Sequence, residues 1–251
     1  MDGSPARRGA PTVWARFIER HHEGRWLGED RRFGEAAAIL VGDIAMVMAD
    51  RCIGIADASV RTVWDTLRTE LNMGQYLDVL GTARGDVSAV EARRIMEHKT
   101  AGYTIVRPLQ LGAALARRPE LADALHAHGM PSGSPSSCAT TCSAFGDPAR
   151  TGKPVGDDLR EGKPTALLAA AREAADPGQR AVLATVGTPM SDDDVAAIQQ
   201  VMVDTGAVAR VERESGALLD EAMTAVDRLP DRDRSHEALR ALADFVVARD
   251  T

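Results

Sequence analysis

Apolar residues recur along this chain at helical spacing rather than in the alternation typical of strands. Between residues 59 and 81 they form a stripe from Val60 to Leu77, which predicts one face of an amphipathic helix. Residues 32–52 are apolar almost throughout and contain no turn signal, so we expect a buried helix there, with Asp43 in its middle. Period-two alternation is absent over any useful length. The pattern predicts an all-α protein.

Capping residues and prolines indicate where further helices begin and end. Ser88 and Glu91 have the spacing of a capping box, just before another apolar stripe. Pro119 is typical of a helix start, and Gly129 is expected to end that helix. Ser191 is expected to cap a later helix. We expect a single domain over residues 1–251, with an irregular loop region over 131–165.

Charge and composition exclude several functional classes. The formal net charge is −7 and the pI is near 5.4, which argues against a nucleic-acid or anionic-membrane binder. No stretch approaches about 18 uninterrupted apolar residues, and the N-terminus has no signal-peptide core, so we expect a cytoplasmic protein. Cys52, Cys138 and Cys142 lack the spaced partners of a zinc site.

Residues 146–165 collect charged side chains between glycines, among them Lys153, Asp158 and Lys163. Lysines offer point charges to phosphate, and carboxylates hold Mg²⁺ together with phosphate oxygens. The segment contains no Walker-type G-x-x-x-x-G-K-[ST] match. A phosphate site is one interpretation, and a solvated loop between helices is the other.

Smaller candidate groups stand elsewhere in the chain. The guanidinium groups of Arg7 and Arg8 could together bind a diphosphate, or could belong to a solvated tail. Lys99 and Thr100 are expected at the end of an amphipathic helix, where the helix dipole alone would favour a lysine. Asp43 is expected to have either a buried structural hydrogen bond or a role in a site.

Five segments, taken in order, resemble the trans-type polyprenyl diphosphate synthases, the family of geranylgeranyl and farnesyl diphosphate synthases. They are MDGSPARRGAPT, RFGEAAAILVGDIAMVMAD, GQYLDV, EHKTAGYTIVRPLQLGAALA and FGDPARTGKPVGDDLREGKPT. The resemblance implies a bundle of antiparallel helices around a central cavity, Mg²⁺ as cofactor, and a homodimer. It also implies the condensation of an allylic diphosphate with isopentenyl diphosphate.

The resemblance also implies roles for individual residues. The metal ligands would be Asp2, the last aspartate of the family's first aspartate-rich motif, and Asp158. Lys99 and Thr100 match the family's Lys-Thr pair beside the reacting diphosphate. The residues that match diphosphate ligands are Arg7, Arg8, Lys153 and Lys163.

Two departures from the family pattern predict impaired activity. The first motif, D-D-x-x-D, would begin before Asp2, so we expect the family's first helices and two metal ligands to be missing. Residues 134–144, SPSSCATTCSA, stand where the family has its second aspartate-rich helix. GC-rich codons for residues 134–145, read after dropping the first two bases, give Ala-Phe-Gln-Leu-Arg-Asp-Asp-Leu-Leu-Gly-Val. We interpret this segment as the family's helix read in a shifted frame.

Three functional hypotheses remain open at this point. The chain could be an impaired prenyltransferase, a non-catalytic helical partner of an intact synthase in a heterodimer, or a gene fragment that folds poorly. Missing N-terminal helices would leave part of the apolar core exposed, which would favour the poorly folding fragment.

Overall fold

The computed structural model describes residues 5–7, 9–54, 56–133, 145, 156–229 and 234–248. Backbone contacts divide the chain into two units, Met1–Asp57 and Ala58–Thr251. Helices account for nearly all of the regular structure in the described ranges, so the all-α prediction is confirmed. The expectation of one domain over residues 1–251 stays a prediction.

The first unit contains a short hairpin and two packed helices. Its elements are β1 (Ala6–Arg7), β2 (Ala10–Pro11), α1 (Val13–Glu23) and α2 (Asp30–Ile53). The strands pair antiparallel, with Ala6 opposite Pro11. Helices α1 and α2 meet at Gly34, where a Cβ would lie 2.6 Å from the Trp14 carbonyl oxygen. Phe33, the residue before this glycine, packs edge to face against Phe17 and Trp26.

Helix α2 confirms the predicted helix but not its predicted burial. Gly34 is its only buried residue, and Ile39, Ile44 and Val47 are 66%, 60% and 61% exposed. The physical reason is that α1 packs against α2 near its start, which leaves the later turns uncovered. Asp43 is exposed as well, so of its two predicted roles the buried structural hydrogen bond is wrong, and a role in a site stays a prediction.

The second unit is a succession of packed helices. α3 (Ala58–Arg84) is followed by α4 (Ala89–Met96), which continues into a π-helix (Glu97–Val106) and then into α5 (Arg107–Leu115). A 3-10 turn (Pro119–Leu121) leads into α6 (Ala122–Gly133). The remaining helices are α7 (Asp157–Arg160), α8 (Ala166–Ala174), α9 (Pro177–Leu183), α10 (Asp192–Asp204), α11 (Ala207–Asp227) and α12 (Arg234–Ala248).

The predicted helix starts are largely confirmed. Ser88 and Glu91 form the capping box of α4, and hydrogen bonds from Ser88 and Arg84 to Glu91 lower the pKa of its carboxyl to about 2. Ser191 caps α10 and forms a second capping box with Asp194. In each case the side-chain oxygen satisfies a backbone N–H that the first helical turn leaves unpaired.

Gly129 does not end its helix as predicted, because α6 continues to Gly133. Both glycines instead allow close packing against the π-helix. A Cβ on Gly129 would lie 2.8 Å from Cγ2 of Val106, and one on Gly133 would lie 2.6 Å from Cβ of Ala101. Of the expected loop 131–165, residues 131–133 are helical in α6 and 157–160 in α7, and most of the others lie outside the described residues.

Helix α8 joins two of the buried apolar clusters in the second unit. Leu167, Leu168 and Ala171 pack with residues of α9, α10 and α11, while Ala169 packs with α4. Each fully buried leucine side chain stabilises the fold by about 1.5–3 kcal/mol. This core sets the position of the segment before α8, which carries Lys163. Within the described ranges, no helix is both long and apolar enough to cross a membrane.

Candidate functional site

Lys99 and Thr100 lie in the first half of the π-helix, and both are half-buried. The helix continues unbroken on both sides, since Met96 and Arg107, which flank it, have right-handed helical angles. The suggested explanation of Lys99 as a cation at a helix end is therefore wrong. A π-helix is rare and is frequently found at functional sites.

Helix α3 holds the π-helix at a glycine. A Cβ on Gly74 would lie 2.6 Å from the Lys99 backbone nitrogen, so only glycine fits between the two backbones. One turn further along α3, Asp78 Oδ2 accepts a hydrogen bond of 2.5 Å from Lys99 Nζ and one of 3.3 Å from Gln75 Nε2. The Asp78 side chain is 14% exposed and that of Lys99 is 31% exposed. The ammonium group is thus fixed against α3 and still reaches solvent.

Lys163 forms a second cluster with two carboxylates. Its Nζ lies 3.0 Å from Asp158 Oδ1 and 2.6 Å from Glu161 Oε2. The N-cap of α7 is Gly156, with a φ of 75°, a conformation that glycine adopts at little cost. All three charged side chains are largely buried, with Lys163 15% exposed. A short helix and the turn after it therefore place one ammonium between two carboxylates.

A shared stretch of α3 relates the two clusters. A Cβ on Gly81 would lie 3.0 Å from the ring Cγ of Pro164, the residue after Lys163. Gly81 is three residues beyond Asp78, so the two positions share a face of α3. The structure therefore brings the clusters of Lys99 and Lys163 to one face of α3. Thr100 follows Lys99 in the π-helix, and Asp158 contacts the Lys163 ammonium.

The remaining predicted site residues either lie outside the described residues or belong to the first unit. Asp2, Arg8 and Lys153 lie outside the described residues, as does segment 134–144. Arg7 lies in β1 of the first unit and is exposed.

The described carboxylates do not fit a magnesium ion by themselves. Mg²⁺ binds through one or two carboxylates together with phosphate oxygens and water. Asp78, Asp158 and Glu161 are each paired with a lysine ammonium. Within the described part of the chain, no three His, Cys, Asp or Glu side chains form a group that could hold a metal.

Sequence reasoning missed the acidic partners Asp78 and Glu161. A signal for the cluster was available in the sequence, because the chain has only three lysines among its 30 basic residues, the others being arginine. The three are Lys99, Lys153 and Lys163, and all of them fall in the segments predicted to bind phosphate. Lysine is a compact point charge where arginine is a planar fork, so this selective use favours a common role.

Comparison with known proteins identifies the family of this chain. The family model for polyprenyl synthetase matches residues 1–204. The chain belongs to the polyprenyl synthetase family. The resemblance inferred from the sequence segments is therefore confirmed, and with it the assignment to prenyltransferases of isoprenoid biosynthesis.

Relatives in the polyprenyl synthetase family cover almost the whole chain. Geranylfarnesyl diphosphate synthase of Aeropyrum pernix is 28% identical, over 99% of this chain and 76% of its own length. (2E,6E)-Farnesyl diphosphate synthase of Mycobacterium tuberculosis is 29% identical, over 99% and 68%. A geranylgeranyl pyrophosphate synthase from Corynebacterium glutamicum, crystallised with isoprenyl diphosphate and magnesium, is 37% identical, with a TM-score of 0.92 over 99% of this chain and 73% of that one. This likeness establishes the all-α isoprenoid synthase fold.

Proposed function

We propose that the chain is a polyprenyl diphosphate synthase-type prenyltransferase that binds an allylic diphosphate at the lysines along α3, with isopentenyl diphosphate as second substrate. The observation that carries the proposal is the placement of the Lys99 and Lys163 clusters along one face of α3, with Thr100 directly after Lys99 in the π-helix. Each ammonium offers three donors to phosphate oxygens. The names of the relatives, all prenyl diphosphate synthases, support this substrate class.

In the proposed reaction the bond between the allylic carbon and the diphosphate oxygen breaks, and the diphosphate leaves with the electron pair. The double bond of isopentenyl diphosphate then attacks the allylic cation, and a proton is lost. Lys99 and Lys163 stabilise the charge that grows on the departing diphosphate, and the Thr100 hydroxyl donates to it. Before substrate arrives, their carboxylate partners hold the two ammonium groups in place.

Magnesium stays an expectation for this chain. The Corynebacterium glutamicum relative contains magnesium, and Asp2 and Asp158 are the predicted ligands here. The proposed contribution of Lys99, Thr100 and Lys163 to diphosphate binding does not depend on that assignment.

Turnover by this chain is expected to be low, because residues 134–144 contain no carboxylate. The test is incorporation of labelled isopentenyl diphosphate with an allylic primer and Mg²⁺. The matched variant replaces residues 134–144 with the eleven residues of the shifted frame, which restores an Asp-Asp pair. We expect the restored variant to be faster by at least about 100-fold, the usual scale of losing one electrostatic stabiliser of a transition state.

The present chain and the restored variant together test diphosphate binding and prenyl transfer separately. Robust turnover by the present chain would show that segment 134–144 is no defect. If the restored variant folds and binds inorganic diphosphate but does not turn over, the prenyl-transfer proposal fails while diphosphate binding stands. If neither protein binds inorganic diphosphate, both the diphosphate-binding and the prenyl-transfer parts of the proposal fail.

A non-catalytic partner role is the second candidate function, and the exposed apolar face of α2 favours it. Contiguous exposed apolar side chains commonly mark protein interfaces, and Ile39, Ile44 and Val47 are such side chains. Light scattering of the chain alone and mixed with an intact synthase distinguishes a homodimer from a heterodimer. Ile44→Glu should weaken either assembly, whereas Val90→Glu, at an exposed valine of α4, should not. An unchanged mass with Ile44→Glu would rule out α2 as the interface.

A further inference from the structure

Arg107 ties the end of the π-helix to α3 through a two-pronged ion pair. Its Nε donates to Glu70 Oε2 at 2.7 Å and its Nη2 to Glu70 Oε1 at 2.5 Å. Its Nη1 donates to Gln110 Oε1 at 2.5 Å, and Gln110 Nε2 donates to the Ala122 carbonyl at 3.0 Å. The three side chains therefore join α3, α5 and the start of α6.

The contacts between α3 and the π-helix follow an antiparallel order. Glu70 lies beside Gly102, whose Cβ would be 3.7 Å from Glu70 Oε2, and beside Arg107. Four residues later Gly74 touches the Lys99 backbone, and four later again Asp78 binds Lys99 Nζ. Residues four apart on a helix lie on one face. A single face of α3 thus holds the π-helix at both ends.

A π-helix needs such fixation, because its hydrogen-bond geometry is uncommon and the α-helix is the usual alternative. A change of one residue in register turns an α-helix by about 100°. That rotation would carry the Lys99 ammonium away from Asp78. A fork-to-fork arginine pair fixes orientation as well as charge, and Gln110, which braces Arg107, is buried.

We infer that Glu70, Arg107 and Gln110 are positioning residues, which fix the π-helix so that the Lys99 ammonium is presented beside Asp78. The inference rests on the proposed function only for the ligand that Lys99 would bind. None of the three residues is assigned contact with substrate.

The experiment uses the full chain labelled with ¹³C and ¹⁵N at lysine. Because the sequence has three lysines, the side-chain NMR spectrum contains three lysine signals, each assigned with one Lys→Arg variant. The test variants are Glu70→Gln and Arg107→Lys, which conserve size or charge. The control is Arg210→Lys, which loses an arginine bound to Glu173 of α8 and Glu214 of α11 rather than to α3 or the π-helix.

We expect the Lys99 signal to shift in both test variants, with the Lys153 and Lys163 signals unchanged and all three unchanged in the control. Affinity for inorganic diphosphate, measured by calorimetry with Mg²⁺, should fall by about tenfold in the test variants, as expected when a binding group is misplaced. A purely structural role would lower the melting temperature without moving the Lys99 signal.

An unmoved Lys99 signal in both folded test variants would overturn the inference, as would an equal shift in Arg210→Lys. If the unaltered chain does not bind diphosphate, the proposed function fails, and the Lys99 signal still decides whether the three residues position it.

Discussion

The two lysine clusters along α3 are built in different ways. Lys99 is held by long helices in close contact, with glycines at the points where backbones touch, and it faces one carboxylate. Lys163 is held by a four-residue helix and the turn after it, and it faces two carboxylates from the same short segment. The carboxylate partner of Lys99 therefore comes from a distant segment through tertiary packing, whereas the partners of Lys163 come from its own local sequence.

The largest expected loss of stability comes from adding a methyl group at the close contact between α3 and the π-helix. Gly74→Ala places a Cβ 2.6 Å from the Lys99 backbone nitrogen, and overpacking of this kind costs about 3 kcal/mol of unfolding free energy. Denaturant unfolding measures this cost, and the Lys99 NMR signal should move while that of Lys163 stays.

Gly112→Ala is the matched control, since nothing lies within 4 Å of its added Cβ. It should stabilise the protein by up to about 1 kcal/mol, because alanine favours helix more than glycine does. Equal effects of the two substitutions would show that α3 and the π-helix are not in close contact.

The second largest effect should come from removing the lysine ammonium of each cluster, and the loss of stability should differ between the two clusters. Lys163→Met removes the ammonium that both Asp158 and Glu161 contact and should cost about 2 kcal/mol of stability, because removing one partner of a largely buried ion pair is unfavourable. Lys99→Met leaves only Asp78 without its cation, and the cost should be about half as large. Thermal and urea unfolding of both variants measures the difference, and a larger loss for Lys99→Met would contradict it.

Acidification should destabilise the helices that hold Lys99, because it protonates His128 in the unfolded chain. This side chain is fully buried, its Nδ1 donates to the Ala222 carbonyl at 3.1 Å, and desolvation lowers its pKa below the usual value of about 6.5. The unfolded chain therefore takes up a proton at a higher pH than the folded protein. The contribution of the neutral His128 side chain to stability is therefore fully present above about pH 6.5. It is lost on acidification, by at most about 1.4 kcal/mol per pH unit.

His128→Gln should flatten this loss, and His126→Gln, at an exposed position of the same helix, should not. Since α6 packs on the π-helix at Gly129 and Gly133, hydrogen exchange at pH 5.5 should increase in residues 97–106 before it increases in 157–163. An acid limb of the same slope in His128→Gln would exclude this group as the cause.

The smallest expected effects concern the caps that precede each cluster or follow it. Ser88 caps α4, which leads into the π-helix, and Thr165, two residues after Lys163, caps α8. Replacing either residue with alanine should cost about 1 kcal/mol. Thr165→Ala should move the Lys163 signal, whereas Ser88→Ala should leave Lys99 in place, because α3 holds it independently. A shift of Lys99 in Ser88→Ala would show that α4 sets its position.

The same difference explains what the sequence could predict. The capping boxes and the helical stripes follow from local rules, and the structure confirms them at Ser88 and Ser191. The family segments led to Lys99 and Lys163 without any knowledge of Asp78 or Glu161. The sequence predicts the wrong role for Gly129, because a glycine that ends a helix and one that allows close packing look alike in a single sequence. The exposure of α2 was unpredictable for a similar reason, since an apolar helix does not reveal what covers it.

The π-helix gives the chain a constraint on length as well as on composition. Surface loops tolerate added or lost residues because their ends can adjust, but the segment between Lys99 and Arg107 is anchored to α3 at both ends. An insertion or deletion of one residue there would turn everything on one side by about 100° relative to the other. During divergence this segment should therefore change its side chains freely on the outward face while its residue count stays fixed.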